Sequence, residues 1–327
     1  MHIRYYFRNP AIAHSIHRVF RTLISEMVHY ATLEKIEMPT RGSKPWDVVK
    51  NNIFAFRYRD KSSIHHITGH IHDILLSFRG CKTVLTIHDI VFIDNVKNPI
   101  KRLYKWMFWL YLPVKIADKV VCISNTTKTK VDNQVRNTKT VVIYNPLDTI
   151  YKASPKAFNT SKPVILHIGT GWNKNLKRTI EALEGIPCHL RIVGRISNVL
   201  IEKLEKSRVE YSTVTNLTDE AVYAEYVNCD IVNFPSLYEG FGMPIIEAQA
   251  TGRVVITSNI EPLLEVSGDA VQFVDPQSVS SIRAAYLEII NNAELRAKLI
   301  EKGFENVKRF DVKHIAGLYM EVYKALM

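Results

Sequence analysis

The sequence predicts an α/β protein built from two doubly wound domains, each a parallel sheet flanked by helices. Three observations predict it. The chain has 327 residues, which sets a prior of about two domains. Short β-branched runs alternate with amphipathic stretches in both halves, the mark of strand–helix–strand units and a parallel sheet. Charge also divides the chain: residues 1–150 hold 23 Lys/Arg against 11 Asp/Glu, a formal +12, while residues 151–327 hold 20 against 21, a formal −1. One basic and one neutral half suggest domains with different partners.

In the first half, "TVLTIHD" (83–89), "KVVCIS" (119–124) and "TVVIYN" (140–145) are short β-branched runs that stop at polar residues, with helical stretches between them. "DTIYKASPKAFNTSKP" (148–163) is polar, proline-bearing and aperiodic, and reads as the linker. In the second half "PVILHIG" (163–169) reads as a buried strand. "NLKRTIEAL" (175–183) sets Leu176, Ile180 and Leu183 on one helical face. "HLRIVG" (189–194), "DIVNFP" (230–235) and "RVVITS" (253–258) are further strands. "DEAVYAEYVN" (219–228) and "PIIEAQATG" (244–252) are helices, the latter closed by Gly252.

Composition excludes several classes. Hydrophobic content of 46% with 23% charge belongs to a folded protein rather than a disordered one. The longest apolar run, Trp106 to Val114, is far short of the ~20 residues a bilayer span needs, and the first residues lack the apolar region of a signal peptide. Cys81, Cys122, Cys188 and Cys229 are scattered, with no C-x-x-C pair. They read as buried reduced thiols in a cytoplasmic protein rather than as metal ligands. No recognition motif accompanies the basic charge, so nucleic acid is not an expected partner.

The chemistry concentrates in "FPSLYEGFGMPIIEAQATG" (234–252). A strand ends, a glycine-rich loop follows, and Pro244 suits the first turn of the next helix, where its missing N–H costs nothing. The amides of Gly240, Phe241, Gly242 and Met243 can point at an anion or at sugar oxygens. Glu239 and Glu247 flank the loop, and carboxylates accept hydrogen bonds from paired hydroxyls. Two polyols with phosphate between them are the outline of a sugar nucleotide. The plain alternative is a strand–turn–helix with a surface Glu239 and a first-turn Glu247 favoured by the helix dipole.

This stretch resembles the E-x7-E signature of retaining family-4 glycosyltransferases of the GT-B fold, whose wording is P-S-x-x-E-G-F-G-x-P-x-x-E-A-x-A-x-G. The resemblance extends to "TSNIEPLLEVSGDAVQFVDP" (257–276), "LHIGTGWNKNLKRTIEAL" (166–183), "TIHDI" (86–90), "ADKVVCISNTTK" (117–128), "VIYNPLD" (142–148) and "RFDVKHIAGLYMEVYKAL" (309–326). It is strong over 163–327, moderate over 83–150 and weak before residue 83. It implies an acceptor-side Rossmann-like domain at 1–150, a nucleotide-sugar domain at 151–310, and a terminal helix at 311–327 packing back toward the first domain. It implies that Glu239 contacts donor-sugar hydroxyls and Glu247 the ribose, with the 240–243 amides on sugar and phosphate.

A second site lies in "IGTGWNKN" (168–175): Gly169, Thr170 and Gly171 follow a strand, and Lys174 opens a helix, where a lysine can neutralise a diphosphate. The family usually carries an arginine just after the glycine that ends this strand; here that position is Thr170. A third site is His88–Asp89. The resemblance implies that His88 reaches the donor sugar. Chemically an imidazole can donate to a hydroxyl or a leaving oxygen, and Asp89 either orients it or approaches the acceptor hydroxyl as a base. Gly194, Arg195 and Leu217 are candidates for the nucleotide base, or have ordinary loop and packing roles.

No D-x-D occurs, which argues against a metal-bound donor site and leaves Lys174 and helix dipoles to do that work. No cofactor is expected beyond a UDP- or GDP-sugar acting as substrate. The glycine-rich loop that many GT-B enzymes carry after the first strand is missing, so the acceptor side departs from the pattern. "VKNPIKRLYKWMFWLYLPVKIADK" (96–119) mixes cations with aromatics and is either a core helix or a surface for an anionic membrane. The expected function is retaining, metal-independent transfer of a hexose to a glycan or lipid-linked glycan, in the cytoplasm or at its membrane face. The alternatives are a non-catalytic GT-B partner subunit and another GT-B enzyme such as a nucleotide-sugar epimerase.

Overall fold

The computed structural model describes residues 1–9, 14–42, 44–136 and 139–327. The chain divides into two compact units, Met1–Pro146 with Asp311–Met327, and Leu147–Phe310.

The first unit holds β1 (His2–Phe7), β2 (Thr32–Glu37), β3 (Ile64–Ile67), β4 (Lys82–Ile87), β5 (Lys119–Cys122) and β6 (Thr140–Val142). Their order is β2-β1-β3-β4-β5-β6 and every ladder is parallel. The expected strands at 83, 119 and 140 are β4 to β6, each ending a few residues early. β1, β2 and β3 have no counterpart in the sequence reading, because polar side chains interrupt their patterns. In β3 two of four residues are histidines, and both are buried. His65 Nδ1 meets Tyr6 Oη at 2.9 Å. His66 Nδ1 meets Tyr323 Oη at 2.6 Å and its Nε2 meets Thr86 Oγ1 at 2.8 Å. Buried polar groups are tolerated when paired in this way.

Tyr323 belongs to the last helix, Val312–Lys324, whose N-cap Asp311 accepts from the Lys313 and His314 amides. Its buried tyrosines join it to the first unit: Tyr5 Oη lies 3.0 Å from Tyr323 Oη, and Thr86 Oγ1 3.5 Å from Tyr319 Oη. The basic aromatic segment is split. Pro99–Lys105 is α-helix, Trp106–Tyr111 π-helix and Leu112–Ile116 α-helix. Trp109, Leu110 and Val114 are core, while Ile100 and Leu103 stand in the open.

The second unit holds β7 (Val164–Ile168), β8 (His189–Val193), β9 (Glu210–Val214), β10 (Ile231–Phe234), β11 (Val254–Ser258) and β12 (Gln272–Val274). The order is β12-β11-β10-β7-β8-β9, again all parallel. The winding reverses between β7 and β10, and the crevice outside the carboxyl ends of two such strands is where doubly wound sheets bind ligands. The expected helix at 219–228 forms over those residues, with Thr218 as its N-cap. The helix after the glycine loop is Met243–Thr251, closed by Gly252. β9 and the helix Asn198–Ser207 were not expected, since "YSTVTNL" carries few strongly apolar residues. All four cysteines are free and buried.

Candidate functional site

The paired strands β7 and β10 carry a polar core beneath their loops. Asn233 stands opposite His167 in register, and its Nδ2 donates to His167 Nδ1 at 2.9 Å and to Thr179 Oγ1 at 3.0 Å. Burial pushes His167 down to about 3, so the ring stays neutral.

Above it two loops are tied together. From the β7 side, Asn173 accepts from the Leu237 amide at its carbonyl (2.7 Å), while its Nδ2 donates to the Tyr238 carbonyl (3.0 Å) and to Glu239 Oε1 (3.3 Å). Lys174 Nζ donates to Glu239 Oε1 at 2.6 Å and lies 4.5 Å from the centre of the Phe234 ring. Asn175, at φ 61, donates to the carbonyls of Pro235 (3.0 Å) and Pro276 (2.7 Å). Three consecutive side chains thus fix the loop that presents Glu239. The sequence marked Lys174 but not Asn173 or Asn175, because an asparagine in a polar loop has no distinguishing pattern until its partner, sixty or more residues on, is known.

The glycine loop itself is rigid at one end. Gly242 takes φ 114, and a Cβ there would sit 2.8 Å from Leu263 Cδ2, so a larger residue strains the backbone and must push the leucine aside. Phe241 is buried, with its ring edge-on to Phe310 at 5.8 Å. It was expected to bind donor; its side chain is committed to the core and only its backbone is available for that. Gly240 and Met243 are half-buried. Glu247 lies inside the helix at 2% exposure, and Tyr226 Oη donates to its Oε2 at 2.6 Å. The structure therefore gathers Glu239, Lys174 and Asn173 at one point and buries Glu247 at another. Tyr226, which fixes Glu247, was missed because its helix reads as an ordinary packing element.

The neighbouring loops meet through Thr170, whose Oγ1 donates to the Arg195 carbonyl at 2.6 Å. Gly169 and Gly194 adopt φ 87 and φ 141, and Gly171 caps the short 3₁₀ turn Trp172–Lys174. Arg195 is exposed and Leu217 half-buried.

In the first unit, His88 follows β4 and is buried. Its Nε2 lies 2.8 Å from the Thr68 carbonyl, which can only accept, so Nε2 carries the proton. The other nitrogen of the neutral ring is then the accepting one. Burial, with the His70 ring adding to it, pushes His88 down to about 4. The expectation that it donates to a substrate is corrected to this extent: its ring proton is held by Thr68. Asp89 is half-buried, its Oδ1 accepts from the Val91 amide at 3.1 Å, and burial raises it above the usual carboxylate range.

Comparison with known proteins agrees with this architecture. Residues 151–306 match the family model described as glycosyl transferases group 1, and residues 13–150 the model described as Glycosyltransferase Family 4. The chain is 26% identical over 253 residues to an uncharacterised glycosyltransferase of Methanocaldococcus jannaschii, covering 74% of this chain and 68% of that one. It is 30% identical over 173 residues to O-antigen chain mannosyltransferase B of Escherichia coli, covering 49% and 45%. The solved structure of Anabaena HepE in complex with UDP and glucose superposes with a TM-score of 0.78 at 17% identity, covering 99% of each chain. Among the described residues no helix is long and apolar enough to cross a membrane. With both of its sheets and nearly all of its length accounted for, the chain belongs to the group 1 glycosyltransferases and is a hexosyltransferase of the GT-B fold.

Proposed function

We propose that the protein moves a hexose from a nucleoside diphosphate sugar to a glycan or lipid-linked glycan, with retention at the anomeric carbon and without a metal ion. The observation that carries this reading is the grip of Lys174 and Asn173 on Glu239 at the switch point of the second sheet. A carboxylate fixed by two donors, next to a run of backbone amides at a helix start, suits a hydroxyl-rich donor that ends in phosphate.

In this reading Glu239 accepts from donor-sugar hydroxyls. Lys174, already beside that carboxylate, also faces the diphosphate and takes over the charge neutralisation a divalent ion would supply. The amides of Gly240 to Met243, with Gly169, Thr170 and Gly171, line the phosphates. Glu247, held by Tyr226, accepts from the ribose, and Gly194, Arg195 and Leu217 border the base. His88 accepts from a sugar hydroxyl through its unprotonated nitrogen, and Asp89 serves the acceptor side. The bond from the anomeric carbon to the phosphate oxygen breaks, the bond to the acceptor oxygen forms on the same face, and the acceptor proton passes to the departing diphosphate. UDP and GDP are the favoured carriers; the Anabaena structure named above contains UDP and an E. coli relative is named a mannosyltransferase. The free, buried cysteines fit a reducing cytoplasmic setting.

A thermal-shift panel of UDP, GDP, ADP and CMP in excess chelator tests the reading. At about 100 times its dissociation constant a ligand stabilises by about 2.7 kcal/mol. One nucleotide is expected to stabilise the wild type and not Lys174→Ala, and the matching sugar nucleotide to give an α-linked product by proton coupling. No stabilisation by any nucleotide, or a strict need for a divalent ion, overturns it.

A further inference from the structure

The helix Pro45–Phe56 buries Ala55, with Phe54 packed against the core beside it, yet it is also apolar on the side that faces water. Its two asparagines turn inward. Asn51 is buried, its Oδ1 accepting from the Thr40 amide and hydroxyl at 3.3 and 3.0 Å. Asn52 Oδ1 accepts from Ser77 Oγ at 2.7 Å. Four large apolar residues turn outward: Trp46, Val49, Ile53 and Phe56 recur at helical spacing. With Ile100 and Leu103 on the helix Pro99–Lys105 they are between 44% and 79% exposed. A surface helix normally keeps its water-facing side polar. Between this helix, the 3₁₀ helix His72–Phe78, Tyr104 and Phe108 runs a groove of about 680 Å³ whose walls are mostly apolar.

Cations accompany these apolar residues. Lys50 stands 5.9 Å from the centre of the Trp46 ring, and Arg57, Lys101 and Arg102 are exposed beside the apolar residues in sequence. Asp47 is the one acid on the first helix, where it accepts from the Lys44 amide at the N-cap, and the helix Pro99–Lys105 has none. Exposed tryptophan and phenylalanine with aliphatic neighbours and a basic border match the boundary of an anionic bilayer: rings and aliphatics enter the headgroup layer, and lysines and arginines face the phosphates.

We propose that this face docks the protein on an anionic lipid bilayer, with Trp46, Ile53 and Phe56 inserted and Lys50, Arg57, Lys101 and Arg102 on the headgroups. The sequence left residues 96–119 as either a core helix or a surface for an anionic membrane. Trp109, Leu110 and Val114 of that segment are core, so the proposed surface centres on the helix Pro45–Phe56 instead. The inference stands apart from the transfer reading, since binding to lipid requires no donor.

Flotation of the full chain with vesicles tests it. The protein is expected to rise with vesicles of phosphatidylcholine mixed with phosphatidylglycerol, to stay behind with phosphatidylcholine alone, and to be released by high salt. Trp46→Ser with Ile53→Ser, and separately Lys50→Glu with Lys101→Glu and Arg102→Glu, should each cut partition about tenfold or more without lowering the melting temperature. Addition of the anionic vesicles should blue-shift the tryptophan emission, and Trp46→Phe should remove that shift while keeping the apolar face. A wild type that stays at the bottom of the gradient, or an unchanged blue shift in Trp46→Phe, overturns the proposal. So does a dimer that Trp46→Ser with Ile53→Ser dissociates while flotation persists, for a second copy would then be the occupant.

Discussion

Lys174 Nζ lies 2.6 Å from Glu239 Oε1, although 65 residues separate them in sequence. Their side chains keep 22% and 13% of their exposure, so the pair is sheltered but not sealed. Removing the cation leaves a half-buried carboxylate with Asn173 as its remaining partner among those described above. Lys174→Met should cost about 1–3 kcal/mol by urea midpoint and Glu239→Gln less, with a coupling of about 1 kcal/mol or more in the double-mutant cycle. Transfer should fall about 10²-fold or more in Lys174→Met. A cycle that is additive would show the pair to be without energetic consequence.

Tyr226 should matter to nucleotide binding without touching the loop. Tyr226→Phe removes the 2.6 Å hydrogen bond to Glu247 Oε2 and leaves a buried carboxyl oxygen less satisfied, at a cost of about 1–3 kcal/mol. Isothermal titration should show a weaker nucleotide, with Glu247→Gln losing affinity while keeping a partner for the phenol. Unchanged affinity in both variants would remove Glu247 from the binding site.

The first unit should be acid-labile. Burial holds His66 and His72 at about 3 and His88 at about 4, against about 6.5 in an unfolded chain. Their folded values are depressed, so the unfolded state takes up protons first, and stability is lost as pH falls from about 6.5 toward 4. Asp73 opposes this. Burial raises it to about 7, so its contribution declines as pH rises from about 4 to 7. At pH ~5 unfolding should take up about two protons net from these four groups. The pH dependence of the denaturant midpoint measures it, and His66→Gln should flatten the slope. A flat profile between pH ~4 and ~6.5 would contradict the assignment.

Gly69 sets the position of His88. At φ 129, a Cβ on Gly69 would stand 2.6 Å from His88 Cδ2. Gly69→Ala should cost about 1–3 kcal/mol and break the Nε2 bond to Thr68. The nitrogen shifts of His88 report that break, and transfer should fall with it. Native shifts in the variant would show that the loop yields instead of the ring.

The sequence by itself determined most of the second unit. Runs such as Val164–Ile168 and Val254–Ser258 are apolar on both faces of a buried parallel sheet, and no other periodicity competes with them. The glycine loop and its two glutamates were legible for a related reason: φ 114 at Gly242 and Pro244 in the first helical turn are demands of the backbone, which residue type records locally. What needed tertiary structure was whatever depends on a distant partner. β3 was hidden because His65 and His66 are buried only by virtue of Tyr6, Thr86 and Tyr323. The grip on Glu239 joins side chains whose sequence positions predict no contact. The outward apolar stripe of Pro45–Phe56 is periodic in the sequence, but periodicity gives a face and not its direction. Only the folded chain, by turning Asn51 toward Thr40 and Asn52 toward Ser77, decided which side met solvent.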